Sequence, residues 1–142
     1  MKLSLLSIFL FSFLCQAQQV LIDLNQNWEF KQQSKTKWYD ATVPGTVHTD
    51  LLDNGLIEDP YEGLNENKLI WIEDENWEYR TTFSLTTEDL EMENYELVFE
   101  GLDTYAEVIL NDEIVGTGDN MFKSYSFDIK QKLKKGENKL LI

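Results

Sequence analysis

The stretch from Trp77 to Gly118 alternates apolar and polar residues with a period of two. Successive side chains of a β-strand point to opposite faces of its sheet, so this period predicts strands with one buried face and one solvent face. The inward residues of the first such strand are Trp77, Tyr79, Phe83 and Leu85. Polar residues alternate with them, and a sheet with one wet face is typical of antiparallel strands.

The same alternation recurs along the chain and predicts several more short strands. Their inward positions are Val20, Ile22 and Leu24; Trp28; Tyr95, Leu97 and Phe99; Ala106, Val108 and Leu110; and Tyr125, Phe127 and Ile129. Asn111 and Asp112 lie between two apolar runs, and both residue types tolerate the positive φ of a tight hairpin turn. Gly136 supplies a turn before a last strand, which we expect to be cut at Ile142.

One segment has a helical pattern instead. Pro44 and Gly45 break the chain, Thr46 can cap a helix, and Gly55 ends a run in which apolar residues recur at helical spacing. These apolar residues are Val47, Leu51 and Leu52. Many short strands with one short helix in a long connection predict an all-β fold, namely a β-sandwich of jelly-roll type.

The amino terminus has the features of a signal peptide. Lys2 precedes an apolar run over residues 3–14, and small residues follow at Cys15 and Ala17. The run is shorter than the roughly 20 residues that a spanning helix needs, which disfavours a membrane anchor. Lipidation at Cys15 is a further alternative, disfavoured by the large residues before it. We therefore predict a signal peptide over residues 1–17, export to the periplasm or the outside of the cell, and a domain over residues 18–142.

The net charge and the cysteine content limit which partners and which thiol chemistry this chain can have. The chain carries 26 acidic against 12 basic residues, a net charge of −14, and such a field repels nucleic acid and anionic lipid. We therefore expect no nucleic-acid partner, and no membrane partner after signal cleavage. Cys15 is the only cysteine, so cleavage after Ala17 would leave a chain with no disulfide and no thiol nucleophile.

The sequence offers little for catalysis. His48 is the only histidine, which excludes a metal site built on several imidazoles, and we interpret it as a structural loop residue. A triad of Ser34, His48 and Asp50 has no support beyond the presence of these residues. Acidic residues are abundant, but runs of them in polar loops are typical of solvated surface rather than of a glycosidase pair. We predict no metal site and no cofactor.

The tryptophans and one polar loop are the candidates for ligand contact. Trp28 and Trp77 lie among other apolar residues of predicted strands, so we assign them to the core. Trp71 follows the polar loop "LNENKLI". We hypothesise that Asn65, Glu66 and Trp71 contact a hydroxylated substrate or a neighbouring domain, with a solvated loop as the alternative.

Two segments carry a family resemblance. "VPGTVHTDLLDNGLIEDPYEGLNENKLIWIEDENWEYRTTF" resembles the amino-terminal segment of β-mannosidases of glycoside hydrolase family 2. "LVFEGLDTYAEVILNDEIVGTGDNMFKSYSFDI" resembles the sugar-binding jelly-roll domain of that family, which is galactose-binding-domain-like. The resemblance extends from about Trp28 to the end of the chain. The second segment indicates the family alone, whereas "PGTVHTDLL", "DPYEGLNE" and "WEYRTTF" point to its mannosidase branch.

The resemblance implies a multidomain enzyme of which this chain is the first part. Immunoglobulin-like modules and a (β/α)8 barrel would follow, and the barrel would carry the acid/base and the nucleophile of a retaining mechanism. No catalytic residue would then lie before Ile142. The implied activity is removal of terminal non-reducing β-D-mannose from oligosaccharides, with this domain as a non-catalytic scaffold beside its downstream domains. The alternatives are a stand-alone carbohydrate-binding module and a structural adhesion domain.

Overall fold

The structure, a computed structural model, describes residues 20–142. This part of the chain forms eight strands, one α-helix and four short 3-10 turns. The strands are β1 (Trp28–Gln32), β2 (Tyr39–Ala41), β3 (Trp77–Leu85), β4 (Glu96–Phe99), β5 (Ala106–Leu110), β6 (Glu113–Gly118), β7 (Tyr125–Asp128) and β8 (Gly136–Leu141). Helix α1 (Val47–Asp53) and two of the turns, Asn65–Lys68 and Ile70–Ile72, lie in the connection between β2 and β3.

The strands form two antiparallel sheets. The larger sheet has the order β2-β1-β3-β8-β5-β6, and the smaller one pairs β4 with β7. Strand β8 lies between β3 and β5, so the carboxyl-terminal strand joins the two halves of the larger sheet. Its backbone pairing continues to Ile142, whose N–H donates to the carbonyl of Tyr79 at 2.8 Å.

The main core lies between the two sheets. It contains residues of both: Leu97 comes from the smaller sheet, whereas Val108, Leu110 and Leu140 come from the larger one, and all are buried. Burial of apolar side chains from two facing sheets is what stabilises a β-sandwich. The predicted mainly-β sandwich with one short helix is therefore confirmed, and Trp28 is in the core as predicted, 5% exposed.

The long connection builds a second, smaller core against β1. Phe30 is fully buried there with Leu51 of α1 and with Leu69 and Ile72 beside the 3-10 turns. Phe30 and Trp28 are two residues apart, so they project from the same face of β1. At this end of the larger sheet, α1 and the turns thus cover apolar residues that the smaller sheet does not reach.

Two local predictions are confirmed in detail. The side-chain hydroxyl of Thr46 accepts from the backbone N–H of Thr49 at 3.3 Å and caps α1, and Gly55 follows with φ +65°. Asn111 and Asp112 adopt φ values of 51° and 68° between β5 and β6, as the hairpin required.

One predicted strand is wrong. The segment from Val20 to Leu24 forms no strand although its apolar residues alternate, and Leu21 is 87% exposed. Alternation alone does not make a strand, because the backbone also needs a neighbouring strand for its hydrogen bonds. Here a side chain supplies a bond instead: Trp28 Nε1 donates to the Leu24 carbonyl at 2.6 Å.

Strand β3 differs from its prediction in one position. Thr81 lies in the middle of the inward face and is 4% exposed. Its hydroxyl bonds to the carbonyls of Gln26 and Asn27 at 3.1 and 3.2 Å, so a polar residue interrupts the apolar face without an unsatisfied group.

The predicted signal peptide, residues 1–17, lies outside the described residues, and the domain limits and export stay predictions. In residues 20–142, α1 is too short to cross a lipid bilayer, and none of the other helical turns approaches that length.

Candidate functional site

A pocket of about 340 Å³ opens beside β1. Three chain segments bound it: the β1–β2 hairpin, the carboxyl-terminal half of α1 with the turn after it, and the region of the second 3-10 turn. Aromatic side chains and lysines dominate its lining; they are Phe30, Tyr39, Trp71, Trp77, Lys31, Lys35 and Lys37. We call this site the aromatic–lysine pocket.

The aromatic side of this pocket is a chain of contacting rings. The Trp71 and Trp77 ring centroids are 6.0 Å apart, those of Trp77 and Phe30 are 6.0 Å apart, and Tyr39 lies 6.1 Å from Phe30. Trp77 Nε1 donates to the Ile72 carbonyl at 3.1 Å and thereby fixes its ring. Trp71 is the exposed end of the cluster, at 39%, so its ring is available to a ligand.

The lysines give the same pocket a positive charge. Lys31 Nζ pairs with Glu78 at 2.6 Å, and Lys37 Nζ lies 4.2 Å from the centre of the Tyr39 ring. Lys35 is exposed and has no carboxylate partner among residues 20–142. No aspartate or glutamate lines the pocket. It is a cationic site in a chain of net charge −14.

A second, smaller pocket of about 170 Å³ lies on the other part of the long connection. His48, Glu66 and Glu73 line it together with apolar residues. The interpretation of His48 as a loop residue is wrong, because it lies in α1, where it is exposed. The sequence pattern that predicts a helix from Val47 also covers His48, so this residue could have been assigned to the helix.

The structure does not bring the three predicted contact residues into one pocket. Trp71 lines the aromatic–lysine pocket and Glu66 the second pocket, whereas Asn65 lines neither. The Asn65 amide donates to the Asp59 carbonyl at 3.0 Å and accepts from Lys68 at 2.9 Å, so it ties the loop together. Contact of these residues with a substrate or a neighbouring domain stays a prediction.

A buried polar pair fixes the helix that walls the aromatic–lysine pocket. Asp50 is 1% exposed; its Oδ1 accepts from the backbone N–H of Thr42 at 2.8 Å and its Oδ2 from the Tyr79 hydroxyl at 2.7 Å. Burial, and next the hydrogen bond to Asp50, raise the pKa of Tyr79 well above its usual range. Asp50 and Tyr79 line neither pocket, so they act as structural residues.

A comparison with known families assigns the chain. The family described as "Glycosyl hydrolase 2 galactose-binding domain-like" matches residues 28–142. The chain belongs to this family. The predicted resemblance is thereby confirmed, and the two sheets described above are the sandwich of a glycosyl hydrolase 2 domain.

Individual relatives of this glycosyl hydrolase 2 domain include β-mannosidases. The β-mannosidase of Rattus norvegicus is 38% identical over 120 residues, which cover 84% of this chain and 14% of that enzyme. The crystal structure of the β-D-mannosidase of Dictyoglomus thermophilum is 45% identical with a TM-score of 0.83, covering 84% of this chain and 15% of that one. The chain thus spans about a seventh of the length of these relatives.

A more distant structure shares the fold alone. The exo-chitosanase CsxA of Amycolatopsis orientalis is 21% identical with a TM-score of 0.70, and the match covers 80% of this chain and 15% of that one. The sandwich is therefore common to enzymes whose names state different substrates.

Acidic side chains are the groups of this domain that could hold a metal ion or transfer a proton. Among residues 20–142, no group of three histidine, cysteine, aspartate or glutamate side chains is placed to hold a metal ion. The Lys68 ammonium lowers the pKa of Glu58 through a hydrogen bond and its charge, and Thr86 lowers that of Asp89 through its backbone and side chain. A general acid needs a shift in the opposite direction.

Sequence reasoning missed the three lysines that line the aromatic–lysine pocket, Lys31, Lys35 and Lys37. A signal was present, since the segment "KQQSKTK" holds three lysines in a chain in which acidic residues outnumber basic ones by more than two to one. It did not indicate that tryptophans from a distant segment lie beside these lysines.

Proposed function

We propose that this chain is the amino-terminal, non-catalytic domain of an exported β-mannosidase that removes terminal non-reducing β-D-mannose residues from oligosaccharides. The observation that carries this proposal is the 45% identity and TM-score of 0.83 with the Dictyoglomus thermophilum β-D-mannosidase. The match with the rat enzyme supports the same activity. The retaining reaction and its two glutamates would belong to residues after Ile142.

The side chains of the two pockets support a non-catalytic role. Glycoside hydrolysis requires two carboxyl groups on either side of the scissile bond, one of which stays protonated near neutral pH because it is buried. The aromatic–lysine pocket has no carboxyl group in its lining. Glu66 and Glu73 line the second pocket, but both are exposed, whereas this chemistry needs a buried carboxyl group.

The exposed apolar residues around the predicted contact loop support a scaffold for other domains. Tyr61, Leu64 and Ile70 are 96%, 74% and 60% exposed, and together they surround Asn65 and Glu66 in the sequence. Exposed apolar groups near one another are typical of interaction surfaces. Asn65, Glu66 and Trp71 would thus contact the downstream domains or, at the edge of those domains, the β-mannoside.

Hydrolysis of chromogenic glycosides by the full protein tests this activity. The expected result is release of the chromophore from the β-mannoside, with much slower release from the matched β-galactoside and β-glucuronide. A protein that prefers either of the other two glycosides would contradict the mannosidase assignment. The family assignment would stand in that case, because it rests on residues 28–142.

Export is tested separately, by mass spectrometry of the protein isolated from its native cells. Cleavage after Ala17 would give a mature chain that begins at Gln18. A mature chain that retains residues 1–17 would contradict export by a cleaved signal peptide.

A stand-alone carbohydrate-binding module is the second candidate, and the exposed Trp71 ring favours it. Such a module binds glycans without other domains, whereas a scaffold does not. Calorimetry of residues 18–142 with mannose and manno-oligosaccharides distinguishes the two, because heat of binding is expected only for a module.

A further inference from the structure

We propose that the aromatic–lysine pocket binds an acidic pyranose, that is, a six-membered sugar ring that carries a carboxylate or a phosphate. This ligand differs from the neutral β-mannoside of the proposed function, and the inference does not depend on hydrolysis. It rests on the shape, the aromatic wall and the charge of the pocket.

The pocket has the size and the wall that a sugar ring needs. Its volume of about 340 Å³ falls in the range of small-molecule sites, roughly 300–1,000 Å³. The C–H face of a pyranose is apolar and packs on an aromatic ring. Trp71 offers such a ring at the mouth, and it is held in place by its contact with Trp77, 6.0 Å away.

The charge of the lining selects an anion. Lys31, Lys35 and Lys37 are its charged residues. Lys31 is neutralised by Glu78, whereas neither Lys35 nor Lys37 has a carboxylate partner among residues 20–142. Lys37 lies over the face of the Tyr39 ring. An ammonium group has three donors, so both lysines can donate to an anionic group of a ligand. A neutral sugar would leave that charge uncompensated.

The polar residues of the lining complete a sugar site. Gln32 and Thr36 lie between the three lysines in the sequence and also line the pocket. Their side chains supply both donors and acceptors, which the ring hydroxyls require. Three chain segments bound the pocket, which suits a compact ring better than an extended acidic peptide.

Calorimetry of the full protein with D-glucuronate, glucose 6-phosphate and D-glucose tests the inference. At least one of the two acids is expected to bind more than threefold more tightly than glucose, and this preference should shrink as salt is added, because exposed charges are screened. The two acids distinguish a carboxylate site from a phosphate site. Tighter binding of either acid than of glucose is the result that the proposal predicts.

Substitutions then locate the binding. The double variant K35Q/K37Q is expected to weaken binding of the preferred acid about two- to tenfold and to leave glucose unchanged. Lys135→Gln is the matched control, since this exposed lysine lies in the turn before β8. It should change neither the affinity for the preferred acid nor that for glucose. Trp71→Ala is expected to weaken the binding of both the preferred acid and glucose. If this variant unfolds, K35Q/K37Q still tests the site, because both lysine side chains are exposed and their replacement should not disturb the fold.

Three outcomes would overturn the inference: equal affinity for the acids and glucose, unchanged acid affinity in K35Q/K37Q, or no binding of any of the three sugars. The last result is the one expected if another segment of the polypeptide fills the pocket. β-Mannoside turnover is measured separately on the parent protein, and none of the sugar-binding results depends on it. A failure of the proposed function, seen as absent turnover, is therefore distinguishable from a failure of this site.

Discussion

The Tyr79 hydroxyl donates a hydrogen bond to Asp50 Oδ2 at 2.7 Å and thereby joins strand β3 to helix α1. The other carboxylate oxygen accepts from the backbone N–H of Thr42 at 2.8 Å, so both oxygens of this buried group are satisfied. Leu51, the next residue, packs against Phe30 and lines the aromatic–lysine pocket. The pair therefore holds one wall of that pocket against the sheet.

Tyr79→Phe is expected to lower the free energy of unfolding by about 1–3 kcal/mol, because it leaves a buried carboxylate oxygen without its donor. Urea unfolding monitored by tryptophan fluorescence measures this loss. Tyr105→Phe is the matched control, since Tyr105 is 88% exposed, and it should change stability little. Equal losses in the two variants would show that the bond to Asp50 contributes nothing.

The same pair predicts a loss of stability in alkaline solution. Burial and the hydrogen bond to Asp50 raise the pKa of Tyr79 in the folded state, whereas an unfolded tyrosine has a pKa of about 10. Below about pH 10 both states keep the proton, so the contribution is complete there. Above it only the unfolded state releases the proton, and the free energy of unfolding should fall by up to about 1.4 kcal/mol per pH unit.

Urea unfolding at pH 9, 10 and 11 checks this pH dependence. The Tyr79→Phe variant lacks the group and should lose less stability than the parent over this range. Parallel declines of parent and variant would assign the alkaline loss to other residues.

Features of the fold that depend only on residues close together in the sequence were predictable from it. Thr46 and Gly55 marked the ends of α1, and Asn111 with Asp112 marked the β5–β6 hairpin, because capping and positive φ are properties of single positions. The pair of Asp50 and Tyr79 was not predictable, since the two residues are 29 positions apart and no local pattern indicates that the helix meets this strand.

The candidate site was predicted only in part, for a related reason. Trp71 was identified as a contact residue because it follows a polar loop, and it does line a pocket. The remaining wall comes from β1, the β1–β2 hairpin, α1 with the turn after it, and the start of β3. No sequence pattern indicated that these segments meet. Asn65 and Glu66 were chosen by the same loop argument, yet their side chains lie outside this pocket.

Asn138→Ala is expected to cost about 1–3 kcal/mol or more of unfolding free energy, because several buried partners lose their hydrogen bonds together. The Asn138 side chain is fully buried, donates to the carbonyls of Lys134 and Gly136 at 2.8 and 3.0 Å, and accepts from Asn111 at 2.8 Å. Thermal unfolding measures the loss. Asn94→Ala, at an exposed position before β4, should have little effect, and a similar loss there would contradict the account.

Gly116→Ala is expected to destabilise the protein by about 1–3 kcal/mol through overpacking. A Cβ atom at Gly116 of β6 would overlap the ring of Phe127 on β7, which packs against the main core. The double variant G116A/F127A should lose less stability than the sum of the two single variants, because the alanine at 127 removes the overlap. Strictly additive losses in urea unfolding would exclude this contact as the cause.

The central proposal is that residues 18–142 form the non-catalytic first domain of a β-mannosidase. Its most direct test is a side-by-side assay of the purified full protein and of purified residues 18–142 with a chromogenic β-mannoside. The account predicts turnover by the full protein and none above buffer by residues 18–142. Turnover by residues 18–142 that persists through rigorous purification, or no turnover by the full protein, would contradict it.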